Sequence, residues 1–362
     1  MTDLQHVAFC GGGSGGHLTP SIAVAQTLLE RSDAADVTFL TSSRSIDARI
    51  LADARLPANR VAVVQQPISS SRSKLSLLQS IVRSFFICRR LFRKRRPEIV
   101  VGTGGFASIA GVIAAWWLKI PVVLLEINAV PGRANRLLNR FARSTCFGLD
   151  VVEQHLKAWR GDVHKVGVPI RTVFSSKPLT AGPQQCVLVL GGSQGAANVN
   201  RLCLNAFAFG KVWPDLHVLH QAGETEVDDI QRRYRDLNIT ADVVPFVSDV
   251  AAEIAIADVV ISRAGAVTLA EISAVRRPVV LIPLSTAADD HQRANAASLV
   301  GIGAAVSIDE TVGDAASRLN EHLTCLLDSF DTRTQMQDAQ QQLAAPNATD
   351  QFLEVLHQIV SQ

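Results

Sequence analysis

A histidine directly follows a glycine-rich run near the start of the chain. Residues 11–16 read Gly-Gly-Gly-Ser-Gly-Gly, and His17 comes next. Gly11, Gly13 and Gly16 satisfy G-x-G-x-x-G, a pattern whose main-chain N–H groups can approach a phosphate at a helix N-terminus. An imidazole there could take a proton from an incoming hydroxyl. The sequence therefore offers His17 as a general base or, alternatively, as a helix-capping residue that only shapes the loop.

A second cluster of polar residues lies in the C-terminal half. Residues 262–266 read Ser-Arg-Ala-Gly-Ala and open a helical stretch that contains Glu271. The N–H donors and dipole of a helix start suit a diphosphate, and the Glu271 carboxylate could accept both hydroxyls of a ribose or simply complement the dipole. Residues 289–292 and Asn295 follow the next apolar run. They suit sugar hydroxyls, although a solvated loop would look similar.

A dinucleotide-binding reading of the first glycine run lacks one component. NAD sites place an acidic residue at the end of the second strand to hold the ribose. Here that strand ends Thr-Ser-Ser-Arg at residues 41–44, without a carboxylate. An NADP enzyme that uses Arg44 stays open, but it leaves the second glycine run, residues 191–195, unexplained.

Ten β-branched runs alternate with helical stretches, which predicts βαβ units and parallel sheets. The runs are residues 6–10, 36–40, 61–64, 99–101, 122–125, 186–190, 217–220, 242–244, 259–261 and 279–282. We predict two doubly wound α/β lobes, residues 1–165 and 166–340, with an interlobe cleft, because ligands of parallel sheets bind at the carboxyl ends of strands. Residues 341–362 should form a helix that packs back on the first lobe.

Composition excludes several classes of protein. The chain has 362 residues, 48% of them hydrophobic and 19% charged, which is typical of a globular protein with more than one core. Its six cysteines lack the spacing of a zinc site or a disulfide scaffold, so we expect a reduced, cytoplasmic setting. The chain runs from Asp3 directly into an apolar strand and a glycine cluster, so we expect no signal peptide. The longest apolar tract, residues 109–127, is broken by Lys119 and Pro121 and reads as a buried helix followed by a buried strand.

One interval of the chain is strongly basic. No Asp or Glu occurs between Asp53 and Glu98, while arginines alternate with apolar residues at helical spacing. This pattern is typical of an interfacial helix, which anionic lipid attracts by about 1 kcal/mol per charge. The predicted membrane-binding residues are Leu78, Val82, Phe85, Phe86, Arg89, Arg90 and Arg93. A core-packed helix with a solvated arginine end is the alternative, and without a recognition module we expect no nucleic-acid partner.

Seven segments, in this order, resemble those of the MurG family of N-acetylglucosaminyltransferases, glycosyltransferase family 28. They are residues 12–17, 104–108, 126–128, 167–171, 191–196 and 262–271, and residues 290–292 with Asn295. The resemblance covers nearly the whole chain. It implies a GT-B fold and inverting transfer of N-acetylglucosamine from UDP-N-acetylglucosamine to the 4-hydroxyl of undecaprenyl-diphospho-N-acetylmuramoyl-pentapeptide, the step from lipid I to lipid II of peptidoglycan synthesis.

The resemblance also implies a location and a set of site residues. The protein would work peripherally at the cytoplasmic face of the inner membrane, with its anionic surface as a partner, and cell-wall synthesis proteins stay open as partners. His17 would be the candidate base, Glu126 a second catalytic residue, and Glu271 the ligand of the ribose. Donor contacts would come from Ser14, Gly15, Gly16, Asn128, Arg171, Ser193, Val247, Ala266, Val267, Glu271 and Gln292.

Three positions depart from the family pattern. Ile127 stands where the family usually has Gln, Val168 where it has Asn, and Phe106 where it has Tyr. The amide and hydroxyl groups missing at these positions affect fine contacts with the acceptor or the sugar. The set of residues that would bind UDP is unaffected.

No Asp-x-Asp motif occurs in the sequence, so we expect transfer without a metal or another cofactor. The helix end after Arg263, the glycine-loop amides and Arg171 would stabilise the leaving diphosphate instead. Three alternatives stay open: a related transferase with another lipid acceptor, a UDP-sugar epimerase, and an inactive nucleotide-sugar-binding module. The basic apolar helix argues against a purely soluble epimerase, and the combination of His17, Glu126 and Gln292 argues against an inactive module.

Overall fold

The chain forms two compact units, each built on its own parallel sheet. The computed structural model describes residues 4–13, 15–67, 74–151, 153–157, 159–174, 185–191, 196–209, 213–342, 345 and 347–362, without the side chains of residues 74, 153, 154 and 288. Unit 1 comprises Met1–Thr172 together with Ala345–Gln362, and unit 2 comprises Val173–Ala344. Unit 2 is thus inserted into the sequence of unit 1.

Within the described residues, unit 1 contains a seven-stranded sheet. Its strands are β1 (His6–Cys10), β2 (Asp36–Ser42), β3 (Val61–Gln66), β4 (Ile99–Gly102), β5 (Val122–Glu126), β6 (Ser144–Phe147) and β7 (Asp162–Lys165). All are parallel, in the order β3-β2-β1-β4-β5-β6-β7. Its helices are α1 (Gly15–Arg31), α2 (Ser45–Asp53), α3 (Lys74–Lys94), α4 (Phe106–Trp117), α5 (Arg133–Leu138) and α6 (Glu153–Leu156). The central strands are buried along their whole length, as strands covered on both faces require.

Unit 2 repeats this design with a six-stranded sheet among the described residues. Its strands are β8 (Gln185–Leu190), β9 (Leu216–Gln221), β10 (Thr240–Val244), β11 (Val259–Ser262), β12 (Val279–Leu281) and β13 (Val306–Ser307). The order is β10-β9-β8-β11-β12-β13, and every pair is parallel. Its helices are α7 (Ala197–Phe207), α8 (Val227–Asp236), α9 (Val250–Ile256), α10 (Ala266–Val275), α11 (His291–Val300), α12 (Ala315–Asp328) and α13 (Phe330–Gln340).

All ten strands predicted from β-branched runs are present, and three more were missed. In each sheet the chain first builds outward in one direction and then returns to the first strand. The strand order therefore reverses between β1 and β4 in unit 1 and between β8 and β11 in unit 2. Ligands of open parallel sheets bind at the carboxyl ends of the strands where the order reverses, which here are the ends of these four strands. The helices that follow β1 and β11 carry the predicted site residues Gly15, Gly16, His17, Ala266, Val267 and Glu271.

The last helix, α14 (Ala348–Val360), returns to unit 1 and packs on α1. Its apolar face is buried through Phe352, Leu353 and Leu356. Arg31 of α1 forms an ion pair of 2.5 Å with Asp350. Gly167 approaches the start of this helix so closely that a Cβ there would lie 3.0 Å from the Ala348 Cβ.

Candidate active site

His17 lies in the first turn of α1, against the turn that follows β4. Its Nδ1 is 2.9 Å from the main-chain oxygen of Thr103. Because a carbonyl only accepts hydrogen bonds, Nδ1 must carry the proton, and the neutral ring then has its lone pair on Nε2. A Cβ at Gly104 would lie 3.1 Å from the His17 ring, and Gly104 and Gly105 both have positive φ, +93° and +71°. The absence of side chains at these two glycines leaves room for the His17 ring.

Glu126 ends β5 and is 3% exposed. Its Oε1 accepts hydrogen bonds from the Asn128 main chain (3.0 Å) and side chain (3.2 Å). Its Oε2 accepts from Gly132 N (2.8 Å) and Asn135 Nδ2 (3.0 Å). Four donors thus engage this carboxylate, which holds the turn that carries Asn128. A catalytic role for Glu126 stays a prediction.

Sequence reasoning missed Asp47, which is fully buried in the first turn of α2. Its carboxylate accepts hydrogen bonds from Gly13 N, at 2.8 and 2.9 Å from its two oxygens. It also accepts from the Ser42 main chain (3.0 Å) and from Ser42 Oγ (2.6 Å). Arg44, the residue that an NADP enzyme would use, instead donates from Nη1 to the Gly13 oxygen over 3.0 Å. An acid in the first turn of the helix after β2 was the only signal for this contact.

The turn between β11 and α10 forms the corresponding part of unit 2. Asn295 is fully buried and donates from Nδ2 to the Ala264 oxygen over 3.1 Å, which fixes the chain just before the helix. Ala266 is buried and Val267 is half-buried at the helix start. The first four N–H groups of a helix have no partner within it. Glu271 lies one and a half turns further along α10 and is 8% exposed.

Arg263, in the same turn, is held by the protein itself. Its Nη1 lies 2.9 Å from Oε2 of Glu310, and the Glu310 side chain is 3% exposed. The guanidinium also donates to the Ile282 oxygen over 3.0 Å. The other oxygen of Glu310 accepts from the main chain and hydroxyl of Ser285, each over 3.2 Å. Arg263 therefore ties the turn after β11 to the loop after β12.

Two other turns of unit 2 carry predicted donor contacts. Val247, after β10, is buried and donates its N–H to Gln221 Oε1 over 3.0 Å. Gln292, in the first turn of α11, accepts from Leu284 N through Oε1 over 2.9 Å. The Val247 N–H and the Gln292 Oε1 are thus bonded within the protein. The Val247 carbonyl and the Gln292 amide NH₂ are the groups that suit a ligand.

The loop before α11 is locally strained. Asp289 and Asp290 have φ of +54° and +52°, in the left-handed region that disfavours residues with a Cβ. Asp290 is held by its N–H, which donates to the Ala287 oxygen over 3.1 Å. Backbone strain of this kind is most often retained at binding and catalytic sites. The loop that leads to Gln292 thus contains two of the six described residues other than glycine that have positive φ.

The predicted site residues divide between the two units. Unit 1 holds Gly15, Gly16, His17, Glu126, Asn128 and Arg171, and unit 2 holds Val247, Ala266, Val267, Glu271 and Gln292. Ser14 and Ser193 lie outside the described residues. Arg171 is exposed, just before the chain passes into unit 2.

Two of the three departures from the family pattern are neighbours in space. A Cβ at Gly148 would lie 2.7 Å from Val168 Cγ2 and 3.0 Å from Ile127 Cα, and both Val168 and Ile127 are buried. The Val168 side chain and the Ile127 main chain thus lie against the same glycine. Phe106, the third departure, begins α4 and is largely exposed.

Helix α3 presents two different faces. Ile81, Phe85, Cys88 and Phe92 turn inward and pack with α4 in the core of unit 1. The outward face carries Leu75, Leu78, Val82 and Phe86, which are between 48% and 66% exposed. Arg90 and Arg93 continue this outward face toward the end of the helix, and Arg89 is half-buried. Of the predicted membrane residues, only Phe85 lies on the inner face.

Helix α4 ends in two exposed tryptophans, one of which contacts α3. Trp116 and Trp117 are both largely exposed. The Trp117 ring meets Phe85 edge-on, with 6.5 Å between centroids, and the Trp116 ring lies 5.0 Å from Phe141. Over the described residues, no helix combines the length and apolar character needed to cross a bilayer. Within the same residues, no group of three metal-ligating side chains is found.

Both halves of the chain match one family of enzymes. Residues 7–147 match the glycosyltransferase family 28 N-terminal domain, and residues 186–352 match the C-terminal domain. The chain is 34% identical over 356 residues to the UDP-N-acetylglucosamine--N-acetylmuramyl-(pentapeptide) pyrophosphoryl-undecaprenol N-acetylglucosamine transferase of Anaeromyxobacter dehalogenans, covering 97% of this chain and 92% of the relative.

The chain belongs to glycosyltransferase family 28. Family 28 relatives of the same name in Syntrophotalea carbinolica and Xanthomonas oryzae are 34% and 35% identical, over 97% and 98% of this chain and 98% and 79% of theirs. The crystal structure of Acinetobacter baumannii MurG aligns with a TM-score of 0.80 at 30% identity, covering 98% of this chain and 99% of that one. The two parallel α/β units of this family 28 glycosyltransferase have the GT-B fold.

The fold is shared more widely than the family. UDP-GlcNAc 2-epimerase from Neisseria meningitidis aligns with a TM-score of 0.69 over 98% of this chain and 100% of that one, at 13% identity. At this identity the likeness concerns the fold alone. Membership of family 28 therefore rests on the sequence matches over both units.

Proposed function

We propose that this protein transfers N-acetylglucosamine from UDP-N-acetylglucosamine to the 4-hydroxyl of undecaprenyl-diphospho-N-acetylmuramoyl-pentapeptide. The names of relatives that match nearly the whole chain support this substrate pair. The observation on the structure that carries the proposal is the hydrogen bond from His17 to the Thr103 carbonyl. It orients an imidazole at the carboxyl ends of β1 and β4, where a parallel sheet binds ligands.

His17 acts as the base in this proposal. With its proton on Nδ1, the neutral ring accepts the proton of the acceptor hydroxyl at Nε2. The oxygen then attacks C1 of the sugar while the bond from C1 to the diphosphate breaks, and UDP leaves. One displacement of this kind inverts the configuration at C1.

The leaving diphosphate is stabilised by main-chain donors at the start of α10. The N–H groups around Ala266 and Val267 and the helix dipole act where negative charge develops. Arg263 contributes indirectly, because its guanidinium is committed to Glu310 and holds the turn that leads into the helix.

The nucleoside part of the donor binds to unit 2. The Glu271 carboxylate, at the carboxyl end of the sheet, accepts hydrogen bonds from the ribose hydroxyls. The Val247 carbonyl accepts from the base, since the Val247 N–H is already bonded to Gln221. The Gln292 amide NH₂ donates to the sugar or diphosphate, since Oε1 of Gln292 is bonded to Leu284 N. Asn128, with both of its donors turned to Glu126, is placed by that carboxylate.

The activity is tested by UDP release from UDP-N-acetylglucosamine in EDTA, with and without the lipid-linked acceptor. We expect release that depends on the acceptor and a disaccharide product by mass spectrometry. Absence of release by folded protein, in EDTA and in restored magnesium, would contradict the proposal. Conversion of the donor to an epimer without acceptor would favour an epimerase.

We infer that the outward face of α3, extended by Trp116 and Trp117, binds the anionic inner leaflet of the plasma membrane. Four apolar side chains on a solvent-facing helix surface, followed by arginines on the same face, are unexplained by packing within unit 1. Apolar insertion and attraction of arginines to anionic lipid act together in such helices. Exposed tryptophans suit the headgroup region of a bilayer.

Flotation with phosphatidylglycerol vesicles tests this surface. We expect Phe86→Ser and the pair Arg90→Gln with Arg93→Gln each to lower the bound fraction, with the charge variants losing about fivefold per arginine at low salt. Val163→Ser, which removes an exposed apolar side chain from the edge strand β7, is the matched control. Equal binding by all variants would exclude α3 as the membrane contact.

A further inference from the structure

The glycine run after β1 is tied to a carboxylate of the protein itself. Asp47 is fully buried, and both of its oxygens accept the N–H of Gly13, at 2.8 and 2.9 Å. In a glycine loop of this kind the main-chain N–H groups are the donors for a phosphate. Here the Gly13 donor is occupied from inside the fold, by a side chain from the next βα turn.

Asp47 lies so close to the loop that it leaves no room for a side chain at Gly12. Gly12 has φ of +144°, and a Cβ there would lie 2.4 Å from Asp47 Oδ2. The same oxygen accepts from the main chain and the hydroxyl of Ser42. Arg44 binds the other side of the Gly13 peptide, through its carbonyl oxygen. The loop is thus fastened at Gly13 N and Gly13 O to the turn between β2 and α2.

We propose that Asp47 is a positioning residue for the transfer reaction: its carboxylate fixes the turn between β1 and α1 and thereby the place of His17. His17 lies in the first turn of α1, four residues after Gly13, so a shift of that turn moves the imidazole relative to the Thr103 carbonyl. The inference rests on the proposed function, in which His17 Nε2 takes the acceptor proton. It predicts that Asp47 affects the chemical step more than donor binding.

The contact requires a carboxylate and not merely a polar side chain. Both Asp47 oxygens face donors, so an asparagine would set its own NH₂ against an N–H in either orientation. The position of Asp47 in the first turn of α2 also suits a negative charge, because the helix dipole is positive there. Asp47→Asn therefore removes the function of the side chain with little change in volume.

The first test compares Asp47→Asn with Asp53→Asn, which makes the same change at an exposed position at the end of the same helix. We expect Asp47→Asn to lower kcat by about tenfold or more, the effect of losing hydrogen bonds to a charged acceptor. The affinity for uridine, measured by calorimetry, should stay within about twofold, because the nucleoside part of the donor binds to unit 2. A kcat equal to that of Asp53→Asn, or an equal loss in kcat and uridine affinity, overturns the proposal.

Two further readouts separate positioning from a general loss of structure. Formate is the size of the group removed in Asp47→Ala and should restore part of the kcat of that variant while leaving Asp53→Asn unchanged. Ser42→Ala, which removes one of the donors to Oδ2, should lower kcat by a few-fold, so a graded series exists even where Asp47→Ala folds poorly. No response to formate together with wild-type kcat in Ser42→Ala contradicts the assignment.

Hydrogen–deuterium exchange tests the same contact without any substrate. Peptides that cover residues 11–17 should lose protection in Asp47→Asn and keep it in Asp53→Asn, while peptides from unit 2 exchange alike in both. Unchanged protection of residues 11–17 overturns the positioning role. Because this measurement involves no transfer, a protein that lacks the proposed activity but shows the local loss of protection would contradict the proposed function alone.

Discussion

Two turns at points where the strand order reverses, the one after β1 in unit 1 and the one after β11 in unit 2, have different electrostatic partners. In unit 1 a buried carboxylate, Asp47, accepts from the main chain of the glycine run. In unit 2 the buried carboxylate, Glu310, is paired with a guanidinium, and a neutral amide, Asn295, holds the turn. A strand, a glycine-containing turn and a helix thus occur in two forms: a fixed turn that carries His17, the proposed base, and a helix start that suits a diphosphate.

The largest expected effect separates the chemistry of unit 1 from the binding by unit 2. His17→Ala should lower kcat by about 10²–10⁴-fold, the usual contribution of a general base. The affinity for UDP, measured by calorimetry, should be unchanged. His164→Ala, on the edge strand β7 of the same unit, is the control. Near-normal turnover of His17→Ala would leave His17 with a shaping role only.

The second effect concerns the buried ion pair that holds the turn after β11 in unit 2. Glu310→Gln leaves Arg263 without its buried partner, which typically costs about 3–5 kcal/mol of stability. Denaturant-dependent hydrogen exchange should show this loss in peptides of β11 and β12, with unit 1 unaffected. Arg293→Gln removes one partner of the exposed pair with Asp309 (2.8 Å), which should cost less than about 1 kcal/mol. Equal losses in the two variants would show that the Arg263 pair is unimportant.

A third effect sharpens the assignment of the donor to unit 2. Glu271→Ala should weaken UDP binding by about 10–100-fold, as the loss of charge-assisted hydrogen bonds predicts. The kcat at saturating donor should change far less. Deoxyribose forms of UDP provide the control, since they should bind poorly to the wild type and no worse to the variant. A further loss with deoxy-UDP in the variant would place the ribose elsewhere.

The smallest effect concerns the acid stability of unit 2. His220 is fully buried, with its ring nitrogens 2.8 Å from the Tyr234 hydroxyl and 3.0 Å from Asn200 Oδ1. Burial lowers the pKa of His220 from 6.5 to about 4, so between these values the unfolded chain binds more protons. The stability due to the neutral ring is complete above pH 6.5 and is lost as the pH falls toward 4.

Protonation of His220 in the unfolded chain should therefore lower the free energy of unfolding of unit 2 by about 2 kcal/mol between pH 7 and pH 5. His220→Gln should flatten this part of the pH dependence, measured by urea unfolding followed through exchange in unit 2. His217→Gln, on the same strand with a partly exposed ring, is the matched control. The same slope in wild type and His220→Gln would mean that other groups govern acid stability.

Sequence predicted the architecture because buried parallel strands are continuous apolar runs. The strands that it missed lack this signal: β6 reads Ser-Thr-Cys-Phe, β7 reads Asp-Val-His-Lys, and β13 has two residues. β7 lies at the edge of its sheet and is largely exposed, so it requires no apolar run. The sequence also located the amphipathic helix α3, but only the structure shows that Phe85 turns inward and that two tryptophans join its outer surface.

The sequence predicted the turns of the candidate site but not the side-chain contacts that hold them. Glycine runs mark where the backbone bends, so the turns after β1, β4 and β11 were found. Which side chain reaches each turn depends on residues far along the chain, as with Asp47 for Gly13, Glu310 for Arg263 and Gln221 for Val247. These pairings have no local pattern, and they decide which polar groups are already used within the protein.

The return of α14 to unit 1 has a consequence for biosynthesis. Unit 1 is interrupted after Thr172 and is completed only by Ala345–Gln362. A ribosome adding roughly 5–20 residues per second needs on the order of ten seconds or more to make the intervening segment. During that time the surface of α1 that α14 later covers is uncovered in the nascent chain. The second-encoded unit is therefore complete first, and the first-encoded unit depends on chaperones or on its own partial stability until synthesis reaches α14.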